Sequence, residues 1–325
     1  MKKFLVVFSL VGLFFMGCKD SITDEQVKNY ENSLNQSMKE SLALFDLILA
    51  YNGGKVAIND FKCDNKSDYI ECVSKTPIIT MNEQALLTIS DIRVKTNQIY
   101  TGKEKNDISF IEAFKGMPSD VKYTKVSFEN IVVGDIAKGL FGMLALSNPD
   151  FSKFNFLVND NYGLELTQEF DKVNDLNLSF NIFSKNMKLN SDFHFALGED
   201  FFNILDKAGV KFNVEKQSTN NQALMQNNDL ILDKVLLKDR IKLTFSMEDT
   251  EAAKQALSFI EADKNDELFK KLSSSILDKK PHKVEVELKL KEKINPNNIN
   301  EKDFFKLTTM TINGIEITED LINNY

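Results

Sequence analysis

An α+β fold built on one large antiparallel sheet is what this 325-residue sequence predicts. Two patterns carry that reading. Apolar residues recur at helical spacing behind Thr23, and then at a spacing of two through much of the stretch from Leu176 to Leu290. Three times an alternating run passes directly into a short helical pattern. Strands with one apolar and one wet side pair antiparallel, and helices inserted at intervals among them fit an α+β domain rather than a parallel sheet.

The chain opens MKKFLVVFSLVGLFFMGC. Lys2 and Lys3 precede an apolar run from Phe4 to Met16, broken only by Ser9 and Gly12. A spanning helix needs roughly 20 apolar residues, so the run is short for one and fits the apolar core of an export signal. Small Gly17 sits just before Cys18. This resembles the lipobox of bacterial lipoproteins, in which the leader is cut before a cysteine that already carries a diacylglyceryl thioether. Phe15 and Met16 depart from the Leu and small residue that the lipobox prefers at those positions. The expectation is a leader over residues 1–17, cleavage between Gly17 and Cys18, and a lipid on Cys18. The competing reading is a plain signal peptide or an uncleaved anchor with an incidental cysteine. Residues 18–325 then form a single elongated domain, since no linker rich in Gly, Ser or Pro marks a boundary.

Thr23 and Gln26 form a capping box. Val27, Tyr30, Leu34, Met38, Leu42, Phe45 and Leu49 follow at helical spacing, and Asn52-Gly53-Gly54 ends the helix. Leu87–Ile89 and Ile92–Val94 are weaker strand patterns. Val132-Val133 leads into a helix over Gly134–Leu146, apolar around much of its circumference and therefore expected to be buried. Leu176, Leu178, Phe180 and Ile182 alternate with polar residues, as do Met187, Leu189, Phe193, Phe195 and Leu197; Ser184-Lys185-Asn186 between them reads as a hairpin turn. A helix over Glu199–Lys207 follows, stopped by Gly209. Further strands are expected at Val210–Val214, Ile241–Met247, Val284–Leu290 and Met310–Ile312, with helices at Asp249–Glu261 and Asp266–Leu277.

The remaining cysteines, Cys63 and Cys72, form an even pair in a compartment that export would make oxidising. A C-x8-C pair without a nearby histidine is a poor zinc motif. A structural disulfide is the stronger reading, against a zinc site or two free thiols.

Loss of the leader removes Lys2 and Lys3 and moves the formal charge from −8 to −10. An acidic chain is a poor partner for nucleic acid or anionic lipid. No catalytic residue, metal or cofactor emerges. His194 alternates with Phe193 and Phe195 and is expected on the wet face, and His282 after Pro281 reads as a surface loop residue. No nucleophile elbow or phosphate loop is found, and the paired carboxylates sit at helix starts, where the helix dipole accounts for them. Phenylalanine is abundant, at 26 residues. If helices cover the sheet, the apolar side chains are ordinary core. If they do not, Phe180, Ile182, Phe193, Phe195, Leu197, Phe212, Leu243, Phe245 and Met247 line an apolar trough.

The runs YENSLNQ, NDFKCDNKSDYIEC, NQIYTG and GVKFNVE resemble the surface-exposed lipoprotein adhesin family of Campylobacter. The resemblance implies a curved antiparallel sheet, an unclosed half-barrel with an apolar basin, attached to the outer membrane. It implies adhesion to host cells, a lipid on Cys18 and a Cys63–Cys72 disulfide. Three functions follow as expectations. The first is a non-enzymatic, lipid-anchored binding protein of the outer membrane, displayed outward as an adhesin that meets a host-cell surface protein. Lys19 after the anchor, where Asp retains enterobacterial lipoproteins in the inner membrane, is consistent with that location. The second is a periplasmic carrier or chaperone for a hydrophobic ligand such as an acyl chain. The third is a hydrolase with a dispersed site.

Overall fold

The computed structural model describes residues 22–50, 53–100, 102, 106–116, 121–147, 156–172, 174–198, 200–219, 226–227, 231, 233–258, 267–295 and 304–318. Gly17, Cys18 and the expected leader lie outside these residues. So do Asn52, Glu199, Glu261 and Asp266 at the expected helix ends, and the side chains of Phe45 and Leu49.

Helix α1, Asp24–Ala50, comes first. It is followed by β1 (Gly54–Ala57), β2 (Lys62–Asn65), β3 (Ile70–Lys75), β4 (Ile78–Met81), β5 (Gln84–Thr88), β6 (Asp91–Thr96) and β7 (Ile108–Ser109). Then come α2 (Phe110–Lys115), β8 (Lys122–Val133), α3 (Asp135–Ser147), α4 (Phe156–Asn159), β9 (Asn161–Lys172), β10 (Asp175–Phe183) and β11 (Met187–Leu197). The chain continues through α5 (Phe201–Lys207), β12 (Lys211–Asn213), β13 (Ser218–Thr219) and β14 (Val235–Met247). It closes with α6 (Thr250–Ser258), α7 (Glu267–Leu277), β15 (His282–Leu290), α8 (Phe304–Leu307), β16 (Thr308–Ile312) and β17 (Ile315–Ile317).

Fourteen strands form one antiparallel sheet, ordered β1-β4-β5-β8-β9-β10-β11-β14-β15-β16-β17, with β6, β3 and β2 branching from β8. The sheet is not closed, so β1 and β17 are edges. Register slips between Phe128 and Ile131 and between Phe193 and Phe195 insert extra residues, with Asn130 and Asp239 at positive φ. Such bulges bend the strands that carry them. The α+β expectation of one unclosed antiparallel sheet with an amino-terminal helix and inserted helices is met.

The capping box at α1 forms in both directions. Thr23 N–H donates to Gln26 Oε1 at 2.9 Å, and Gln26 N–H donates to Thr23 Oγ1 at 3.3 Å. Val27, Tyr30 and Leu34 are buried on one stripe of this helix and dock onto Phe61, Ile70 and Cys72. Asn35 locks the helix to the strand region, giving Nδ2 to the Phe61 carbonyl and taking the Phe61 N–H at 2.7 Å. Farther along, α2 and α5 stack Phe110 on Phe202 at 5.7 Å, and Phe114 meets Phe170 edge-on at 5.4 Å. The main core therefore lies beneath α1, α2 and α5, over one end of the sheet. A smaller cluster, Met247 with Ala253, lies beneath α6 and α7 at another.

Three expectations are corrected. The Val210–Val214 strand shortens to β12 and leaves the main sheet, pairing instead with β7 and β13 in a three-stranded sheet. The apolar helix over Gly134–Leu146 forms as α3 but has no buried residue. Among the described residues it packs chiefly on β5 and α4. His282 is buried rather than superficial, as the first residue of β15. Helices α6 and α7 close over it: Nε2 lies 2.9 Å from Thr250 Oγ1 and Nδ1 lies 3.1 Å from the Ile276 carbonyl. His194 takes the wet face as expected, with Nδ1 3.1 Å from Asp239 Oδ2.

Candidate functional site

Directly paired residues of neighbouring strands point to the same face of a sheet. The register therefore draws the site without further assumption. Phe180 of β10 pairs with Leu166 of β9 and Ser191 of β11, Ser191 with Leu243 of β14, Leu243 with Val286 of β15, and Val286 with Ile312 of β16. A second row runs Leu164, Ile182, Leu189, Phe245 and Val284. A third holds Leu178, Phe193, Ile241 and Leu288. These rows form a continuous apolar face between the two helical covers, interrupted by Ser191 alone in the rows named.

Helices cover this stretch incompletely. Phe180, Ile182, Phe193 and Phe245 are half-buried, and Leu243 retains 39% of its surface exposed. Five of the nine residues expected to line a trough thus share one partly open face. The other four do not line it. Phe195 and Leu197 lie on the same strand as Phe193 but are buried, at 9% and 5% exposure, Leu197 within the core that holds Phe201 and Phe202 of α5. Met247 is sealed by α6, and Phe212 is fully buried in the small sheet. The cause is position along the strand: alternation fixes which face a residue takes, while the helices decide how far along that face the cover extends. Leu166, Leu178, Ile241 and Val286 also belong to the open stretch and are not among the nine residues expected to line the trough. Leu178, Ile241 and Val286 lie in alternating runs, but grouping them with Leu166 requires the register.

The reverse face is charged and self-paired. Lys125 meets Glu165 at 2.7 Å, Lys242 meets Glu285 at 3.1 Å, and Arg93 reaches Asp91 at 2.8 Å and Glu129 at 2.9 Å. The hydrogen bond from Lys75, aided by Arg93, holds the Asp91 carboxyl below its ordinary range. Lys283 and Lys242 do the same for Glu285. Opposite charges on facing strands support the ladder.

At the α1 end, Cys63 and Cys72 face each other across β2 and β3 and are joined as a disulfide, with Cα atoms 3.9 Å apart. Glu31 of α1 reaches into this hairpin. Its Oε2 accepts the Cys63 N–H at 2.9 Å and its Oε1 accepts Lys28 Nζ at 2.7 Å. Burial pushes the Glu31 pKa upward. The Lys28 and Cys63 hydrogen bonds, with the charges of Lys28 and Lys62, outweigh burial and hold it below its usual value. The disulfide and the buried carboxylate together fix α1 on the sheet.

Among the described residues no group of three or more His, Cys, Asp or Glu side chains is placed to hold a metal ion. No helix among them is long and apolar enough to cross a membrane. The open apolar rows offer burial for nonpolar groups and present no array of acids, bases or nucleophiles.

One large unclosed antiparallel sheet, charged on one face and only partly helix-covered on its apolar face, defines an α+β scaffold. Within that class the chain belongs to the family described as adhesin from Campylobacter, whose model matches residues 20–236. The match runs from the start of α1 to the beginning of β14 and so takes in the disulfide hairpin and the β10–β11 hairpin. No curated protein matches the chain.

Proposed function

We propose that the chain is a lipid-anchored adhesin of the outer membrane that binds at the host-cell surface and has no enzymatic role. Membership of the adhesin family is the observation that carries this reading. In it, residues 1–17 are the export leader, Cys18 bears the lipid, and residues 18–325 form one displayed domain. The helix that follows the anchor is capped and packed from Ile22 onward, so the body is held close to its attachment rather than on a flexible tether. The acidic charge of the chain disfavours nucleic acid as a partner.

The half-covered apolar rows support a second reading, a carrier that holds an acyl chain across Phe180, Phe193 and Leu243. Three experiments separate the readings. Protease added to intact cells is expected to cleave the mature domain, and a strain lacking the protein is expected to adhere less to epithelial cells and to recover on complementation. Full protection from protease together with undiminished adhesion would remove the adhesin reading. Native mass spectrometry of protein released from membranes tests the carrier: a co-purifying acyl ligand supports it, and its absence counts against it.

A further inference from the structure

Seven large apolar side chains stand exposed among the described residues, and four of them lie on α3. These are Leu140, Met143, Leu144 and Leu146, at 51%, 67%, 53% and 87% exposure. Leu140, Met143 and Leu144 follow the i, i+3, i+4 spacing of a single helix stripe. The stripe carries no charge. The two charged residues of the helix, Asp135 and Lys138, sit at its first turns. A side chain added at Gly139 or Gly142 would meet no atom within 4 Å, so that side of the helix stands clear of the other described residues. Contiguous exposed apolar surface marks a contact site.

Size and charge select the occupant. Thirteen residues make a helix about 20 Å long, and one face of it offers a few hundred Å² at most. A stable protein interface buries about 800 Å² on each partner, so a second copy of this chain is too demanding an occupant for this stripe alone. A lipid surface has no such threshold and takes Leu and Met side chains without shape matching. The chain carries a formal charge of −8, and the stripe offers no cation to anionic head groups. Neutral, zwitterionic lipid fits both facts.

Position says which membrane. Helix α1 has 27 residues and spans about 40 Å. Its first turn begins within six residues of Cys18. Beyond its far end, Gly53 accepts the Asn82 N–H at 2.9 Å at the tip of the β4–β5 hairpin. Gly134, at the start of α3, donates to Leu86 on the same hairpin at 2.9 Å, and an added Cβ there would collide with the Ala85 carbonyl. The exposed helix therefore sits at the end of α1 away from the anchor.

We infer that α3 is a membrane-distal contact element that inserts Leu140, Met143 and Leu144 into the zwitterionic lipid of an apposed cell. The inference rests on the anchored, outward-facing reading above. The test uses the full lipidated chain carried on phosphatidylcholine donor vesicles, mixed with protein-free target vesicles. The chain has no tryptophan, so Met143→Trp gives a single reporter. Its emission is expected to shift to the blue on addition of phosphatidylcholine targets, and to be quenched when brominated acyl chains are in the targets. Phosphatidylglycerol targets are expected to bind less. Leu140→Asp with Leu144→Asp is expected to reduce vesicle tethering at least about tenfold, since each apolar side chain withdrawn from lipid is worth a decade or more of partition. Both positions are exposed, and the tryptophan readout does not depend on the aspartate variant. Absence of quenching overturns the inference. So does quenching only when brominated lipid is in the donor vesicles, which would place α3 on its own membrane. Loss of cell adhesion in the aspartate variant without any binding of the parent chain to protein-free vesicles would also overturn it, by assigning the stripe to a protein partner. Insertion without any adhesion of intact cells would instead strike the adhesin reading and leave the lipid contact standing.

Discussion

Replacing Glu31 tests how the amino-terminal helix is held on the sheet. Its carboxylate is 8% exposed, whereas its partners Lys28 and Lys62 are 62% and 79% exposed. The lysines regain water when the carboxylate is lost, so the ion pairs themselves contribute little. The Cys63 N–H, part-buried beneath α1, loses its acceptor. A hydrogen bond to a charged acceptor is worth about 1.5–3 kcal/mol, and a buried donor left unpaired costs a similar amount. Glu31→Ala is therefore expected to cost about 2 kcal/mol, or about 3 °C of Tm in a chain of this size. Glu31→Gln keeps an acceptor for Cys63 and is expected to cost about half as much. The pH dependence carries a definite sign. The folded pKa of Glu31 lies below the ordinary glutamate value, so its contribution is present at neutral pH and is lost as the pH falls through the folded pKa. The stability gap between parent and Glu31→Gln should be constant above about pH 6 and should close in acid. Urea denaturation at pH 7, 5, 4 and 3 reads it directly. A gap that stays constant down to pH 3, or an alanine variant as stable as the parent, would refute the placement of this carboxylate.

Cys63→Ser with Cys72→Ser is expected to lower stability by about 2–3 kcal/mol, the loop-closure value for a nine-residue separation, measured by urea denaturation. Combined with Glu31→Ala the losses should not add, because the Cys63 N–H is the shared partner. His282→Ala leaves the Thr250 hydroxyl and the Ile276 carbonyl without their ring partner and is expected to cost about 1–3 kcal/mol, with faster amide exchange confined to residues 267–277. Leu243→Asp, on the open row, is expected to leave Tm nearly unchanged while reducing binding of an apolar dye. Phe195→Ala, two residues from Phe193 but buried and stacked on it at 6.3 Å, is expected to cost about 3–5 kcal/mol. Equal thermal losses in these two variants would show the apolar face to be covered throughout.

Sequence periodicity located α1 with its capping box, the β10–β11 hairpin with its turn, and the strand-to-helix passages, because each is set by local pattern. It did not isolate β8 and β9. In β8 a bulge at Asn130 shifts the phase after Phe128, and in β9 the polar Gln168 breaks the alternation between Leu166 and Phe170. Burial was the less legible property. An apolar helix reads as core, yet α3 has no buried residue, because among the described residues it packs chiefly on β5 and a short helix. A histidine beside a proline reads as surface, yet His282 is enclosed because α6 and α7 fold back over the start of β15. The nine apolar residues set out as a trough share a period, but that period cannot say where α5 and α6 stop. Covering is a property of distant elements, and strand alternation carries no record of it.

The proposed covalent anchor at Cys18 is open to direct measurement. Mass spectrometry of the amino-terminal peptide from the membrane fraction measures it. The predicted result is a peptide beginning at Cys18 with a diacylglyceryl mass on its sulfur, and release of the protein from membranes in Cys18→Ala. An unmodified Cys18, or a Cys18→Ala protein that stays on the membrane in the same amount, would contradict it.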